Sequence, residues 1–305
     1  VGSEMCIRDS IKEAILQGVF VSISATTNGG LDITGDSLIP YANDYFVQTI
    51  VMFLIVLGSI GFPVLLEIKA YIKNRIPNFR FSLFTKVTTV TYLVILIMGV
   101  LGILMIEGHG VFAHESWHKT LFYAMFQSVT TRSAGLETFD VAQFSDATNL
   151  LMGALMFIGS SPSSVGGGIR TTTFAIIILF VINYKPNAEK SSIKVFNREI
   201  HNQDIQRSFA VFCIAIMLTF LGMFIIILSE GSHIEFVKIY FEIMSAFGTC
   251  GLSTGITSQL SNVSKVVLMV LMFIGRVGLI SFIIMISGNR EPSKYHYPKE
   301  RIQIG

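Results

Sequence analysis

The sequence predicts an all-α integral membrane protein built from parallel helix–pore loop–helix repeats around one pore. Three observations predict it. First, three short stretches are versions of one another: SATTNGGLD (Ser24 to Asp32), VTTRSAGLE (Val129 to Glu137) and SAFGTCGLS (Ser245 to Ser253). Aligned on Gly30, Gly135 and Gly251, each carries a small residue, then Gly, then Leu, and each follows an apolar run too brief to span a bilayer. Second, 51% of residues are hydrophobic and 14% charged, against roughly 25% charged in an average soluble domain; mean hydropathy is +0.64. Third, Lys and Arg gather on alternate connecting segments.

The elements follow in order, on the rule that an apolar helix needs about 20 residues to cross. VGSEMCIRDS, residues 1–10, is polar and lacks the apolar core of a signal peptide; it reads as a non-native-looking end. Ile11 to Ile23 is a short helix leading into the first glycine motif. Phe46 to Ile68, with Gly58, Gly61 and Pro63, is the first expected span, and Val87 to Ile106 the second. Trp117 to Ser128 is again short and enters the second motif. Leu150 to Ile182 is a third span, broken at Gly159-Ser160-Ser161-Pro162-Ser163-Ser164-Val165-Gly166-Gly167-Gly168. Phe209 to Leu228 is the fourth, Ile234 to Met244 enters the third motif, and Val263 to Ile286, containing Arg276, is the fifth. The three short segments have the form of re-entrant pore helices.

Charge sets the orientation. Lys69, Lys73, Arg75, Arg80 and Lys86 form one basic cluster; Lys185, Lys190, Lys194, Arg198 and Arg207 another; Arg290, Lys294, Lys299 and Arg301 a third. The positive-inside rule makes these segments and the C-terminus cytoplasmic. The opposite loops carry Asp32, Asp36, Asp44, Glu107, His109, Glu137, Asp140, Glu230 and His233. Every unit therefore runs out, dips back and returns inward, so the repeats are parallel. That counts against carriers built from inverted repeats.

Several classes are excluded. A net charge of +2 does not point to nucleic acid, and the three cysteines, Cys6, Cys213 and Cys250, make no disulfide framework. The histidines form no HExxH pair, and there is no GxSxG, Walker A or CxxC. Neither an enzyme nor a chain that binds its own cofactor is expected.

Thr27-Asn28-Gly29-Gly30, Arg132-Ser133-Ala134-Gly135 and Gly248-Thr249-Cys250-Gly251 are the candidate ion-binding residues. A dehydrated cation needs several oxygens in place of its water. Backbone carbonyls supply them where the chain takes unusual φ/ψ angles, which glycine permits. Arg132 is awkward in such a lining, so it is expected to point behind the loops as a brace, toward an acidic neighbour. Gly159 to Gly168 is non-helical backbone at membrane depth, tolerated only where protein or a water-filled cavity shelters it. Arg276 lies mid-span, where a charge costs roughly 2.5–3.5 kcal/mol on insertion scales, so it faces a polar interior. A structural ion pair and a charge at the pore both remain open for it.

The runs FQSVTTRSAGLETFD, FEIMSAFGTCGLSTGIT, FIGSSPSSVGGGIRTTTF and LMFIGRVG resemble the bacterial Ktr/Trk potassium-uptake superfamily, which also includes the HKT transporters, and most closely the membrane subunit of the Ktr system. The resemblance runs from about residue 11 to the C-terminus. It implies four covalently joined helix–pore loop–helix units around one pore, of which three are visible. Residues 11–70 are a partial second unit, 71–186 the third with its broken inner helix, and 187–305 the fourth with a cytoplasmic tail. These three units are expected to leave the ring of carbonyls open on one side. The resemblance further implies K⁺ uptake, with the glycine motifs as filter, Gly159 to Gly168 as an intramembrane gate, and Arg276 beside it repelling cations while the gate is shut. K⁺ is then the transported ion; Na⁺ dependence stays open. The implied setting is a bacterial inner membrane, the implied partners a second copy of the chain and a cytosolic nucleotide-binding ring protein. A Trk-type K⁺ or Na⁺/K⁺ subunit, a secondary carrier and a non-conducting structural subunit are the alternatives.

Overall fold

The computed structural model describes residues 11–74, 79–108, 110–113, 115–184, 193–231 and 233–279. The polar start, the end of the fifth expected span, the basic tail, and Arg75, His109, Lys185 and Lys190 lie outside the described residues.

The chain is helical. In order come α1 (Ile11–Thr26), α2 (Tyr45–Ser59), α3 (Phe62–Asn74), α4 (Leu83–Glu107), α5 (Trp117–Thr130), α6 (Asp146–Phe157), α7 (Thr171–Asn183), α8 (Asn202–Glu230), α9 (Phe236–Gly248) and α10 (Asn262–Val277). Between α7 and α8 sits a hairpin, β1 (Lys194–Val195) with β2 (Arg198–Glu199), in which Lys194 faces Glu199 and Val195 faces Arg198. Both of its turn residues, Phe196 and Asn197, have positive φ (48° and 62°), the backbone a two-residue hairpin turn demands.

Helix starts are written in the sequence. Asp44 accepts from the Phe46 and Val47 N–H groups, Ser82 from Thr85, Ser145 from Thr148 and Ser261 from Ser264. Each side chain satisfies an N–H that the first helical turn leaves unpaired. Among the described residues, α4 and α8 are long and apolar enough to cross a membrane. Their exposed faces are apolar (Leu93, Ile97, Met105; Met217, Phe220, Leu228), as lipid contact requires.

The first expected span is not one rod. Helices α2 and α3 meet at 104°. Gly61 takes φ +97°, outside the helical region, and α3 restarts with Pro63 in its first turn, where a missing N–H costs nothing. The third expected span is broken where expected: α6 ends at Phe157 and α7 begins at Thr171. Helices α5 and α9 are the buried heart of the fold. Phe126, Phe241 and Phe247 are fully enclosed, which is why moderately apolar short helices hold their place at the centre.

Candidate functional site: a ring of glycine loops above an intramembrane loop

Helices α1, α5 and α9 each end in one glycine motif, and the three motifs meet. A Cβ added to Gly30 would lie 2.8 Å from the Ala134 carbonyl oxygen and 3.3 Å from that of Cys250. One on Gly135 would run into the Cys250 carbonyl, and one on Gly251 would sit 3.7 Å from the Gly135 Cα. Residues more than 100 positions apart in the chain are thus neighbours.

Their backbones also match. Asn28, Ser133 and Thr249 have φ of 47°, 73° and 47°; two residues on, Gly30, Gly135 and Gly251 have φ of 64°, 74° and 98°. Gly29, Ala134 and Cys250 between them do not take positive φ. Positive φ at every second residue gives the three loops one shared backbone form, unlike helix or strand.

Each loop is pinned by a hydroxyl from the last turn of its own helix. Ser24 Oγ donates to the Leu31 carbonyl (2.8 Å), Thr130 Oγ1 to Leu136 (2.6 Å) and Ser245 Oγ to Leu252 (2.6 Å). Sequence reasoning missed these three anchors as functional positions. The signal was present, since two of the three motifs open on the same Ser-Ala pair.

Beneath the ring lies the segment between α6 and α7. It closes on itself: the Ser160 N–H donates to the Gly167 carbonyl (3.2 Å) and the Ile169 N–H to Phe157 (3.1 Å). Arg170 Nη1 donates to the Gly166 carbonyl at 2.6 Å and reaches that of Ser161 at 3.4 Å. The bend between α2 and α3 forms its seat. Ser161 and Val165 N–H groups donate to the Ser59 and Gly58 carbonyls (3.0 and 3.3 Å), and the Phe62 N–H donates to Ser163 (3.0 Å). A Cβ on Gly61 would lie 2.6 Å from the Pro162 carbonyl oxygen. One broken helix thereby supplies the hydrogen-bonding groups that another broken helix needs at membrane depth.

Two neighbouring residues join ring and loop. Arg132 is fully buried, and among the described residues no carboxylate pairs with it: Nη1 donates to the Ile158 carbonyl, at the C-terminal end of α6. The expected acidic neighbour is replaced by the negative end of a helix dipole, which also attracts a cation. Its Nε and Nη2 have no partner among the described residues. Ser133 Oγ accepts from the Gly167 N–H (3.1 Å) and lies 2.8 Å from the Gly248 carbonyl and 3.0 Å from Thr249 Oγ1. Arg276, in the last turn of α10, points Nη1 at Thr249 Oγ1 (3.5 Å). None of the four ion pairs among the described residues includes Arg132 or Arg276. Thr27 stays with its own helix, donating to the Ile23 carbonyl (2.8 Å).

On the outer side, Glu137 follows the second motif. Burial pushes its carboxyl up to about 7, with the nearby charge of Asp140 adding to the effect.

The model of the TrkH family, described as a cation transport protein, matches residues 1–295. The chain belongs to this family of cation transport proteins. It is 50% identical to Ktr system potassium uptake protein D of Bacillus subtilis over 97% of its own length and 65% of that protein's. To Ktr system potassium uptake protein B of the same organism it is 33% identical, over 95% and 64%. To potassium/sodium uptake protein NtpJ of Enterococcus hirae it is 31% identical, over 94% and 63%. The chain thus spans about two thirds of the length of these relatives. The crystal structure of the potassium transporter TrkH from Vibrio parahaemolyticus superposes with a TM-score of 0.67 at 17% identity, covering 86% of this chain and 56% of that one. The fold is that of a multi-pass, all-α membrane transporter.

Proposed function

We propose that this protein is the ion-translocating subunit of a K⁺-uptake system, working as a gated pore. The convergence of Gly30, Gly135 and Gly251, with matched handedness at each loop, carries this reading. The relatives named as potassium uptake proteins supply the ion. Carbonyls of the three motifs replace the water of a dehydrated K⁺. Gly159 to Gly168 is the gate, seated on the α2–α3 bend and fastened to the filter through Arg132 and Ser133. Arg276, exposed and pointing at Thr249, holds a positive charge below the filter that repels an approaching cation. Opening then means releasing the Gly167–Ser133 contact and moving the loop off the Ser59 carbonyl. Control by ligand falls to a cytosolic nucleotide-binding ring partner, acting on a homodimer in a bacterial inner membrane. Kinship with a potassium/sodium uptake protein keeps Na⁺ coupling within the proposal. The test is Rb⁺ uptake by the full-length protein in cells deficient in K⁺ uptake. Restored growth and Rb⁺ uptake at low K⁺ support the reading; correct insertion without uptake, partner subunit present, overturns it.

A further inference from the structure

Away from the pore, two cavities open side by side between α4, α7, α8 and the hairpin. The inner one, about 440 Å³, is lined mainly by apolar groups, among them Phe84, Val87, Ile176 and Val211, and its inner end reaches Pro162 and Arg170 of the intramembrane loop. The outer one, about 390 Å³, is ringed by Arg80, Lys86 and Arg198. Leu83 lines both, so the basic cavity and the apolar one share a wall. Both volumes fall in the range of ligand pockets, about 300–1,000 Å³.

The charge at the mouth is unbalanced. Among the described residues no carboxylate lies within ion-pair distance of Arg80, Lys86 or Arg198. Lys86 is held in place over the Phe196 ring at 5.6 Å. The acidic residue of the inner cavity, Asp204, faces Arg207 at 4.0 Å. Three cations without an ion-pair partner among the described residues, at the start of a membrane-crossing helix and beside an apolar cavity that shares a wall with theirs, match one amphiphile shape: an anionic head and a hydrocarbon tail. The positive-inside rule puts the mouth at the cytoplasmic leaflet, where anionic lipids concentrate.

The geometry points to a binding site for one anionic phospholipid, its phosphate at Arg80, Lys86 and Arg198 and an acyl chain running past Leu83 toward Pro162. Such a lipid touches the loop from the side opposite the pore. An effect on gating rests on the proposed function above; the binding does not.

Native mass spectrometry of the full-length, delipidated protein tests the site without any transport assay. Phosphatidylglycerol is expected to be retained in preference to phosphatidylcholine. Lys86→Gln and Arg198→Gln are each expected to weaken phosphatidylglycerol binding about fivefold, the worth of one basic residue near a membrane surface. Ile176→Trp, which fills the apolar end and leaves the charges alone, is expected to abolish retention. Glycerol 3-phosphate is expected not to compete. Equal retention of both lipids, or full binding by the double charge variant, overturns the site. Competition by glycerol 3-phosphate as strong as by the lipid reduces it to a phosphate site and overturns the acyl-chain assignment, as does normal binding by Ile176→Trp. Loss of binding only when the cytosolic partner protein is added marks the mouth as a protein-docking surface instead.

Discussion

The three converging glycine loops and the intramembrane loop are both glycine-rich, non-helical backbone, yet they are held differently. Each glycine loop is pinned by its own helix, Ser24, Thr130 and Ser245 reaching forward to the carbonyl after the glycine, and the second and third are also joined to each other through Ser133. The intramembrane loop closes on itself but is seated by others, through Gly58, Ser59, Arg132 and Ser133. A loop pinned locally keeps its shape while the rest of the molecule moves. A loop seated by distant elements changes place when those contacts are released. That difference fits the roles proposed for them: a filter, which must stay fixed, and a gate, which must not.

The sharpest way to break the comparison is to unseat the gate without touching it. Gly61→Ala forces a side chain onto a left-handed residue and against the Pro162 carbonyl. The left-handed conformation alone costs about 1–2 kcal/mol, so ion flux without the partner is expected to rise about tenfold, with K⁺ over Na⁺ discrimination intact. Flux assays in proteoliposomes check both. A loss of discrimination would show that the two regions are not separable.

Arg276→Ala comes next. Removing a positive charge beside the proposed ion path lowers the barrier to a cation, and flux is expected to rise several-fold. Reduced flux in a variant that still inserts and dimerises would return Arg276 to a structural role.

Ser133→Ala probes the joint between the regions. The Gly167 N–H loses its acceptor, a change of about 1 kcal/mol for an ordinary hydrogen bond. Partner-independent flux is expected to rise about fivefold, the equivalent of that energy. Ser133→Thr, which keeps the hydroxyl, is expected to restore gating. An unchanged closed state in Ser133→Ala would show that the gate does not lean on the filter.

The smallest effect belongs to the outer mouth. Glu137, with its carboxyl pushed up to about 7, is mostly neutral at pH 6 and negative at pH 8. The negative form attracts cations, so apparent Rb⁺ affinity is expected to be about twofold higher at pH 8, the scale of one charge about 10 Å away in water. Glu137→Gln is expected to flatten that difference; a pH profile of initial uptake rates reads it.

Much of this architecture was legible in the sequence because its signals are local. Repeated Gly-Leu motifs after short apolar runs mark the three loops that converge, and a run of Gly, Ser and Pro inside an apolar stretch marks the break between α6 and α7. The bend at Gly61 was not legible. Hydropathy follows the apolar side chains of Phe46 to Ile68 straight through it, whereas the break lies in the backbone and is held by hydrogen bonds to a loop about 100 residues away. Arg132 shows the same limit. Its type and place predict burial behind the loops, but its partner is a backbone carbonyl, Ile158, and no side-chain pattern announces a carbonyl. The hydroxyl anchors fall between: two share a Ser-Ala signature, while Thr130 sits one residue nearer its glycine and escapes the alignment.

The most direct test of the filter is a pair of glycine substitutions compared in one assay, relative K⁺ and Na⁺ permeability of the full-length protein. Gly135 and Gly255 both have positive φ (74° and 85°), so Ser strains the backbone at each. They differ in surroundings. At Gly135 the new Cβ runs into the Cys250 carbonyl, and at Gly255 it meets nothing within 4 Å. Gly135→Ser is expected to lower K⁺ over Na⁺ discrimination by about tenfold or more, about 1.4 kcal/mol, while Gly255→Ser leaves it unchanged. Equal discrimination in the two variants, with both inserted, would contradict the assignment of the three glycine loops as the ion-selecting ring.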